Sequence, residues 1–188
     1  MSDSGRAVFL DRDGTVVVER GYITIPEDVA LVDRAAEGIR AFRAQGWKVI
    51  VVSNQALVAK GLVTEDELSR INLRMVALLA GEGASLDGIY CCLHHPEGTV
   101  PEYAMECECR KPRPGLLEQA ARDHDLDLSR CVTVGDSRRD VEAGKAAGTA
   151  TVLVLTGHGA KTAGEPHGAD HVAGNLVDAA AWLASRPA

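Results

Sequence analysis

Short apolar runs alternate with helix-type patterns along the chain, and this alternation constrains the fold more than any other feature. The runs that predict strands cover residues 7–10, 47–52, 89–93, 131–134 and 150–155, with a sixth near His171 and Val172. Helical spacing predicts helices over residues 34–45, 64–79, 114–124 and 137–147. Apolar strands separated by helices are typical of a parallel sheet covered on both faces. The sequence therefore predicts an α/β fold with a doubly wound parallel sheet.

Length and composition favour one domain over residues 1–188, because no repeat, low-complexity tract or linker divides the chain. A chain of 188 residues with 46% apolar side chains can build a core without disulfides. The formal charge of −7 argues against nucleic-acid binding, which needs a concentrated basic face. The apolar runs are too short to span a bilayer, and no signal peptide opens the sequence. We expect a cytoplasmic protein with no nucleic-acid or membrane partner.

Reactive side chains follow the predicted strands. Asp11 and Asp13 come directly after the first strand, Ser53 after the second and Asp136 after the fourth, while Lys111 precedes the third helix. The carboxyl ends of parallel strands meet at one edge of a sheet, where ligands bind. These five side chains are therefore expected to converge on one site.

Phosphoryl transfer is the chemistry that this group of residues favours. Asp11 and Asp136 would repel each other unless a hard cation lay between them, and Mg²⁺ prefers carboxylates, water and phosphate oxygens. Ser53 and Lys111 could hold phosphoryl oxygens. The Asp11 carboxylate could then attack phosphorus to form an aspartyl phosphate. Asp13 could protonate the leaving oxygen and later activate water.

Simpler interpretations exist for single residues of this group. A lone Asp-x-Asp-Gly is common in turns, and Lys111 taken alone could be a surface lysine. Ser137 could be a helix cap. Asp140 could bind the metal through water, support the metal ligands or begin a helix turn.

A cluster of thiols and an imidazole predicts a second metal site. Its four members are Cys92, His94, Cys107 and Cys109. Residues two apart in an extended chain face the same side, so Cys92 and His94 form one ligand pair and Cys107 and Cys109 another. The two pairs can bind the same ion, while Cys91 and His95 face away. Three thiolates and one imidazole are typical of structural Zn²⁺. Cys131 lies in an apolar strand and is expected to belong to the core.

The motifs together resemble those of the haloacid dehalogenase superfamily of phosphotransferases, through residues 9–15, Ser53, Lys111 and 135–137. The resemblance implies that Asp11 is the nucleophile and Asp13 the general acid and base. It implies that Ser53 and Lys111 stabilise the phosphoryl group. It also implies Mg²⁺ ligation by Asp11, the main-chain carbonyl of Asp13, and Asp136.

Cys-x-His and Cys-x-Cys pairs ahead of Arg-Lys-Pro resemble the group that contains heptose bisphosphate and histidinol phosphate phosphatases. The long zinc loop, about residues 91–110, is similar to that of the heptose enzymes, which implies hydrolysis of the 7-phosphate of a heptose 1,7-bisphosphate in nucleotide-heptose biosynthesis. On this resemblance the substrate-binding residues are Glu19, Arg20, Gly21, Tyr22, Asn54, Gln55, Ala56 and Arg110. The sequence departs from the heptose pattern at Ala56-Leu57, where Ser-Gly is common.

The spacing leaves no room for a cap domain, because only about 20 residues separate Thr15 from the first helix. Substrate specificity is therefore expected from residues 16–28, the zinc loop and Arg110. We also expect the protein to be a monomer. The alternatives are a histidinol phosphate phosphatase, a broader small-molecule phosphatase, or a phospho-accepting receiver-like domain, which would not need Asp13 for turnover. A zinc-stabilised nucleic-acid binder is disfavoured by the charge and by only seven aromatic side chains.

Overall fold

A computed structural model describes residues 5–186 and places six parallel strands in one sheet. The strands are β1 Ala7–Leu10, β2 Lys48–Asn54, β3 Gly88–Cys92, β4 Val132–Gly135, β5 Ala150–Val154 and β6 His171–Ala173. Their order across the sheet is β3-β2-β1-β4-β5-β6. The chain therefore winds outward from β1 in both directions, and the predicted doubly wound parallel sheet is confirmed.

Helices cover both faces of this sheet. They are α1 Ala35–Ala44, α2 Glu65–Gly81, α3 Gly115–His124, α4 Arg138–Ala147, α5 Gly159–Thr162 and α6 Leu176–Ala184. The first, second and sixth pack in one apolar cluster and the third and fourth in another. Four of the six match the predicted helices to within about two residues, whereas the sequence analysis predicts neither α5 nor α6.

The central strand shows why the sheet needs continuous apolar runs. Val8 and Leu10 belong to the cluster on one face, and Ala7 and Phe9 to the cluster on the other. All four are fully buried. Because both faces are covered, the first polar residue that can reach solvent is the one that follows the strand.

Capping residues set where the helices start and stop. Thr64 and Glu67 form the predicted capping box at the start of α2. Ser137 and Asp140 form a second box at the start of α4, which ends at Gly148 in a left-handed conformation with φ 81°. The first turn of α4 is thereby held at the carboxyl end of β4.

The described residues form no separate cap domain. The segment between β1 and α1 contains one 3₁₀ turn, Pro26–Asp28, and folds back through isolated bridges of Val17 with Asp13 and Leu31. No helix within residues 5–186 is long and apolar enough to cross a membrane.

Candidate active site

A buried lysine lies among carboxylates at the carboxyl edge of the sheet. The Nζ atom of Lys111 lies 2.8 Å from Asp11 Oδ1 and 2.6 Å from Asp140 Oδ1. It also donates a hydrogen bond of 2.8 Å to the carbonyl oxygen of Val52 at the end of β2. Lys111 is only 3% exposed, and burying its charge would be costly without partners. The two carboxylates and the carbonyl oxygen supply those partners.

Burial governs the ionisation of this group. Burial, and next the charge of Asp140, raise the pKa of Asp11 to about 7. Burial also raises the pKa of Asp136 to about 6. Burial opposes the charge of Lys111, but Asp11 and Asp140 outweigh it and raise the Lys111 pKa above its usual value. Three carboxyl groups, those of Asp11, Asp136 and Asp140, thus surround one ammonium group, an excess of acidic groups that is expected where a cation binds.

The residues present fit a hard divalent cation. Carboxylate oxygens of Asp11, Asp136 and Asp140 all lie within 4.8 Å of one another. A small set of carboxylates open to water and phosphate is what Mg²⁺ prefers. Asp140, whose role the sequence leaves open, belongs to this cluster, pairs with Lys111 and accepts hydrogen bonds from the backbone N–H and Oγ of Ser137.

Asp13 lies at the open side of the same edge. Its Oδ2 accepts a hydrogen bond of 2.9 Å from Gln55 Nε2, which also donates to Ser53 Oγ at 2.8 Å. The neighbouring Arg12 also contacts this carboxylate. Asp13 and Ser53 are thus joined through one amide, and the structure brings all five predicted reactive side chains together.

The loop after β5 closes the site from the other side, a contribution that the sequence analysis misses. The backbone N–H of His158 donates to Asp136 Oδ2 at 2.7 Å, and Thr156 Oγ1 donates to the carbonyl oxygen of Gly14 at 2.6 Å. A Cβ on Gly157 would lie 2.2 Å from Asp136 Oδ2 and 2.5 Å from Gly14 Cα. Glycine is therefore required where this loop meets the first motif.

The backbone next to the buried lysine is held by Asn54. The Asn54 side chain donates to the carbonyl oxygen of Lys111 at 2.9 Å and accepts from the Lys111 N–H at 3.0 Å. Arg110 Nη1 donates to the carbonyl oxygen of His94 at 3.2 Å. The two cations of the Arg-Lys-Pro motif are therefore positioned by β2 and by the zinc loop.

The predicted zinc ligands form a compact cluster. The Cys109 Sγ lies 3.2 Å from Cys92 Sγ, 3.3 Å from Cys107 Sγ and 3.4 Å from His94 Nδ1. A tetrahedral ion with Zn–S bonds of about 2.3 Å has ligand separations of about 3.8 Å, so the donor set fits Zn²⁺. The hydrogen bond between Cys109 and Cys92 lowers the pKa of the Cys92 thiol to about 5 and raises the pKa of the Cys109 thiol, so without a metal the two sulfurs share a proton. Cys131 is buried in the core, as predicted.

An open cleft of about 330 Å³ lies above the carboxylates, a size suited to a small molecule. Seven predicted substrate-binding residues line it: Glu19, Gly21, Tyr22, Asn54, Gln55, Ala56 and Arg110. Arg20 is exposed and is not among the lining residues, so its contact with substrate stays a prediction. The lining also includes residues that the sequence analysis does not propose: Leu57, Lys60, His95, Arg139 and His158.

Comparison with known proteins matches this geometry. Residues 108–179 match the HAD-hydrolase-like family model. The chain is 40% identical over 179 residues to the D-glycero-beta-D-manno-heptose-1,7-bisphosphate 7-phosphatase of Yersinia pestis, covering 95% of each chain. It is 39% identical over 180 residues to the enzyme of the same name from Escherichia coli K12, covering 95% of this chain and 93% of the relative.

Solved structures agree. A D,D-heptose 1,7-bisphosphate phosphatase from B. bronchiseptica, complexed with magnesium and phosphate, superimposes with a TM-score of 0.83 at 34% identity, covering 96% of this chain and 98% of that one. A D,D-heptose 1,7-bisphosphate phosphatase from Burkholderia thailandensis gives a TM-score of 0.73 at 27% identity, covering 96% and 99%. The chain belongs to the HAD-like phosphatase family of the D-glycero-beta-D-manno-heptose-1,7-bisphosphate 7-phosphatases.

Proposed function

We propose that this protein hydrolyses the 7-phosphate of D-glycero-D-manno-heptose 1,7-bisphosphate through an aspartyl-phosphate intermediate, in nucleotide-heptose biosynthesis. The observation that carries the proposal is the convergence of Asp11, Asp13, Ser53 and Lys111 below a small cleft with further cations. The names of the relatives agree with this substrate.

In the proposed reaction each of four side chains has its own role. Asp11 is the proposed nucleophile, and its Oδ1 lies 2.8 Å from Lys111 Nζ, so the lysine can also neutralise a phosphoryl oxygen held beside it. Ser53 Oγ is placed by Gln55 to donate to a second oxygen. Asp13 lies where it can protonate the leaving oxygen and later accept a proton from water.

We propose two metal cofactors, each held by side chains that lie together in the structure. We assign Mg²⁺ to Asp11, Asp136 and the main-chain carbonyl of Asp13, with Asp140 beside them. The ion supplies charge neutralisation for the transferred phosphoryl group. Zn²⁺ is assigned to the cluster of Cys92, His94, Cys107 and Cys109 as a structural ion. Its role is to hold the loop that ends in Arg110 and Lys111.

We assign two further cations of the cleft, Arg110 and Lys60, to the second phosphate of the substrate. A bisphosphate carries a dianion far from the reacting phosphorus, and Arg110 and Lys60 both line the cleft. Lys60 Nζ donates to the Tyr22 hydroxyl at 2.9 Å and lies 5.2 Å from the centre of that ring. Tyr22 therefore holds a lysine at the rim, where it can meet the distal phosphate.

We also propose that residues 1–188 act as one phosphatase domain, as a monomer in the cytoplasm. The proposed reactive side chains of this chain all line one cleft. The formal charge of −7 supports a small-molecule partner and no nucleic acid or membrane partner.

Phosphate release tests the proposal. Heptose 1,7-bisphosphate as both anomers, histidinol phosphate and fructose 1,6-bisphosphate should be compared with and without Mg²⁺, and the heptose substrate should give the highest kcat/KM. Arg110→Met should lower kcat/KM for a bisphosphate more than for a monophosphate. A preference for histidinol phosphate would contradict the heptose assignment. Accumulation of a stable phospho-protein that releases phosphate only slowly would indicate a receiver-like domain.

A further inference from the structure

A buried arginine, Arg12, separates the two aspartates of the first motif in the sequence. Arg12 is 2% exposed and is among the largest fully buried side chains of the described residues. A buried guanidinium is costly unless its donors are paired. Its partners therefore indicate what the residue does.

The main partner of Arg12 is the carboxylate of Asp13. Arg12 Nη2 donates to Asp13 Oδ2 at 3.0 Å. The Nε atom lies 3.1 Å from Asp13 Oδ1 and 3.2 Å from Oδ2. The fork of the guanidinium thus faces the carboxylate, an arrangement that fixes orientation better than a point charge does.

A residue on α2 holds the other end of the guanidinium. Arg12 Nη1 donates to Asn72 Oδ1 at 3.0 Å. Asn72 in turn directs its Nδ2 toward Cys91 Sγ at 3.7 Å. Arg12 therefore bridges α2 and the site, with Asn72 on one side of its guanidinium and Asp13 on the other.

The two oxygens of Asp13 differ in how they are held. Oδ2 accepts hydrogen bonds from Arg12 Nη2 and Nε and from Gln55 Nε2, whereas Oδ1 accepts one from Arg12 Nε and, among the described residues, from no other group. Oδ1 is thus the oxygen with more capacity left for a proton and for a substrate or water.

We propose that Arg12, anchored by Asn72, is a positioning residue that holds Asp13 by Oδ2 so that Oδ1 carries the proton transferred in catalysis. The inference rests on the proposed phosphatase reaction. In the first step the Asp11–phosphorus bond forms, the bond to the leaving oxygen breaks, and Asp13 gives that oxygen its proton. In the second step water attacks phosphorus, Asp13 takes a proton from it, and the Asp11 carboxylate is released.

The leaving group separates this role from a structural one. An alkyl phosphate such as a sugar phosphate needs protonation of its leaving oxygen, whereas 4-nitrophenyl phosphate does not. Arg12→Met should lower kcat/KM for the alkyl substrate by about 10- to 100-fold, since general acid catalysis contributes about 10²–10⁴-fold. The loss with 4-nitrophenyl phosphate should be at least about 5-fold smaller, since proton donation contributes little there.

A double-mutant cycle with Asp13→Asn supplies the second readout. If Arg12 acts through Asp13, then Arg12→Met should cause little further loss of alkyl phosphatase activity in the Asp13→Asn protein. Asn72→Ala should give a smaller loss of the same kind, also absent in the Asp13→Asn background. Arg12→Lys keeps the charge but not the fork, so it should restore activity only in part. Thermal melting and metal analysis of each variant test whether it is folded.

Independent, multiplying losses from Arg12→Met and Asp13→Asn would overturn the inference, as would equal losses with both leaving groups. These outcomes differ from failure of the proposed function. If Asp13→Asn loses no activity on the alkyl substrate, the proposed acid–base reaction itself is refuted. If heptose bisphosphate is not the preferred substrate but the contrast between leaving groups holds, the role of Arg12 is supported.

Discussion

Gly157→Ala tests how closely the loop after β5 must approach the first motif. Gly157 has a φ of +55°, and an added Cβ would lie 2.2 Å from Asp136 Oδ2 and 2.5 Å from Gly14 Cα. The neighbour at 2.5 Å is backbone that belongs to the tight turn after β1, so it cannot rotate away. Relief therefore requires the loop and the motif to separate.

The expected magnitude has two parts. An alanine in the left-handed region costs about 1–2 kcal/mol of stability. Restoring ordinary contacts to Gly14 and Asp136 requires a displacement of about 1 Å, and a shift of about 1 Å at a reacting centre can lower the rate about 100-fold. We expect Gly157→Ala to lose about 2–3 kcal/mol of stability in total and about 100-fold in kcat/KM.

Gly148→Ala is the matched control. Gly148 has a φ of +81° at the end of α4, and no atom would lie within 4 Å of its added Cβ. It should cost only the backbone term, about 1–2 kcal/mol of stability, and leave kcat/KM unchanged. Urea unfolding and steady-state phosphate release measure both effects. Full activity in Gly157→Ala, or an equal activity loss in Gly148→Ala, would refute the reasoning about close approach.

Three further predictions follow from the metal clusters and from Lys111. Cys107→Ser should remove zinc, measured by metal analysis, and lower kcat at least about 10-fold by displacing the Lys111 backbone, while the core still melts cooperatively; unchanged kcat without zinc would contradict this. Burial raises the pKa of Asp11 to about 7 and that of Asp136 to about 6, whereas both carboxyl groups have the ordinary pKa of 3.8 in the unfolded chain. Between these values the folded metal-free protein therefore binds more protons than the unfolded chain does. Its free energy of unfolding should therefore fall as pH rises from about 4 to about 7, and Asp136→Asn should reduce this slope in urea titrations; a flat wild-type profile would contradict it. Asn54→Leu removes both hydrogen bonds to the Lys111 backbone and should lower kcat about 10-fold in steady-state assays, with an unchanged kcat as the contrary result.

Most of the fold can be predicted from the sequence because a covered parallel sheet demands continuous apolar runs. Val8 and Leu10 face one layer of helices while Ala7 and Phe9 face the other, so the run before Asp11 contains no polar residue. The missed α6 does carry a readable signal. Asn175 caps it, and its buried residues Leu176, Ala179, Ala180 and Leu183 have helical spacing. The four-residue α5 has no such pattern.

Part of the site can be predicted for the same topological reason, since parallel strands end at one edge. Asp140 shows where this reasoning stops. Its sequence position permits a cap, a support or a ligand, and the structure shows it capping α4 through Ser137 while it pairs with Lys111 and lies beside Asp11. One buried carboxylate has two oxygens, so these roles do not exclude one another. A sequence motif assigns only one of them at a time.

The contacts that sequence reasoning misses are those made by atoms without a chemical signature in the sequence. Asp136 receives a hydrogen bond from the backbone N–H of His158, and every residue except proline has such a donor. Arg12 donates to Asn72, which lies 60 positions further along the chain. Nothing in the sequence marks Asn72 as this acceptor, because other polar side chains of similar size could accept the same hydrogen bond. Both contacts exist because α2, packed on one face of the sheet, and the loop after β5 each approach the edge where the aspartates lie. The parallel topology therefore makes the reactive side chains predictable from their strand positions, while their hydrogen-bond partners are determined by three-dimensional packing alone.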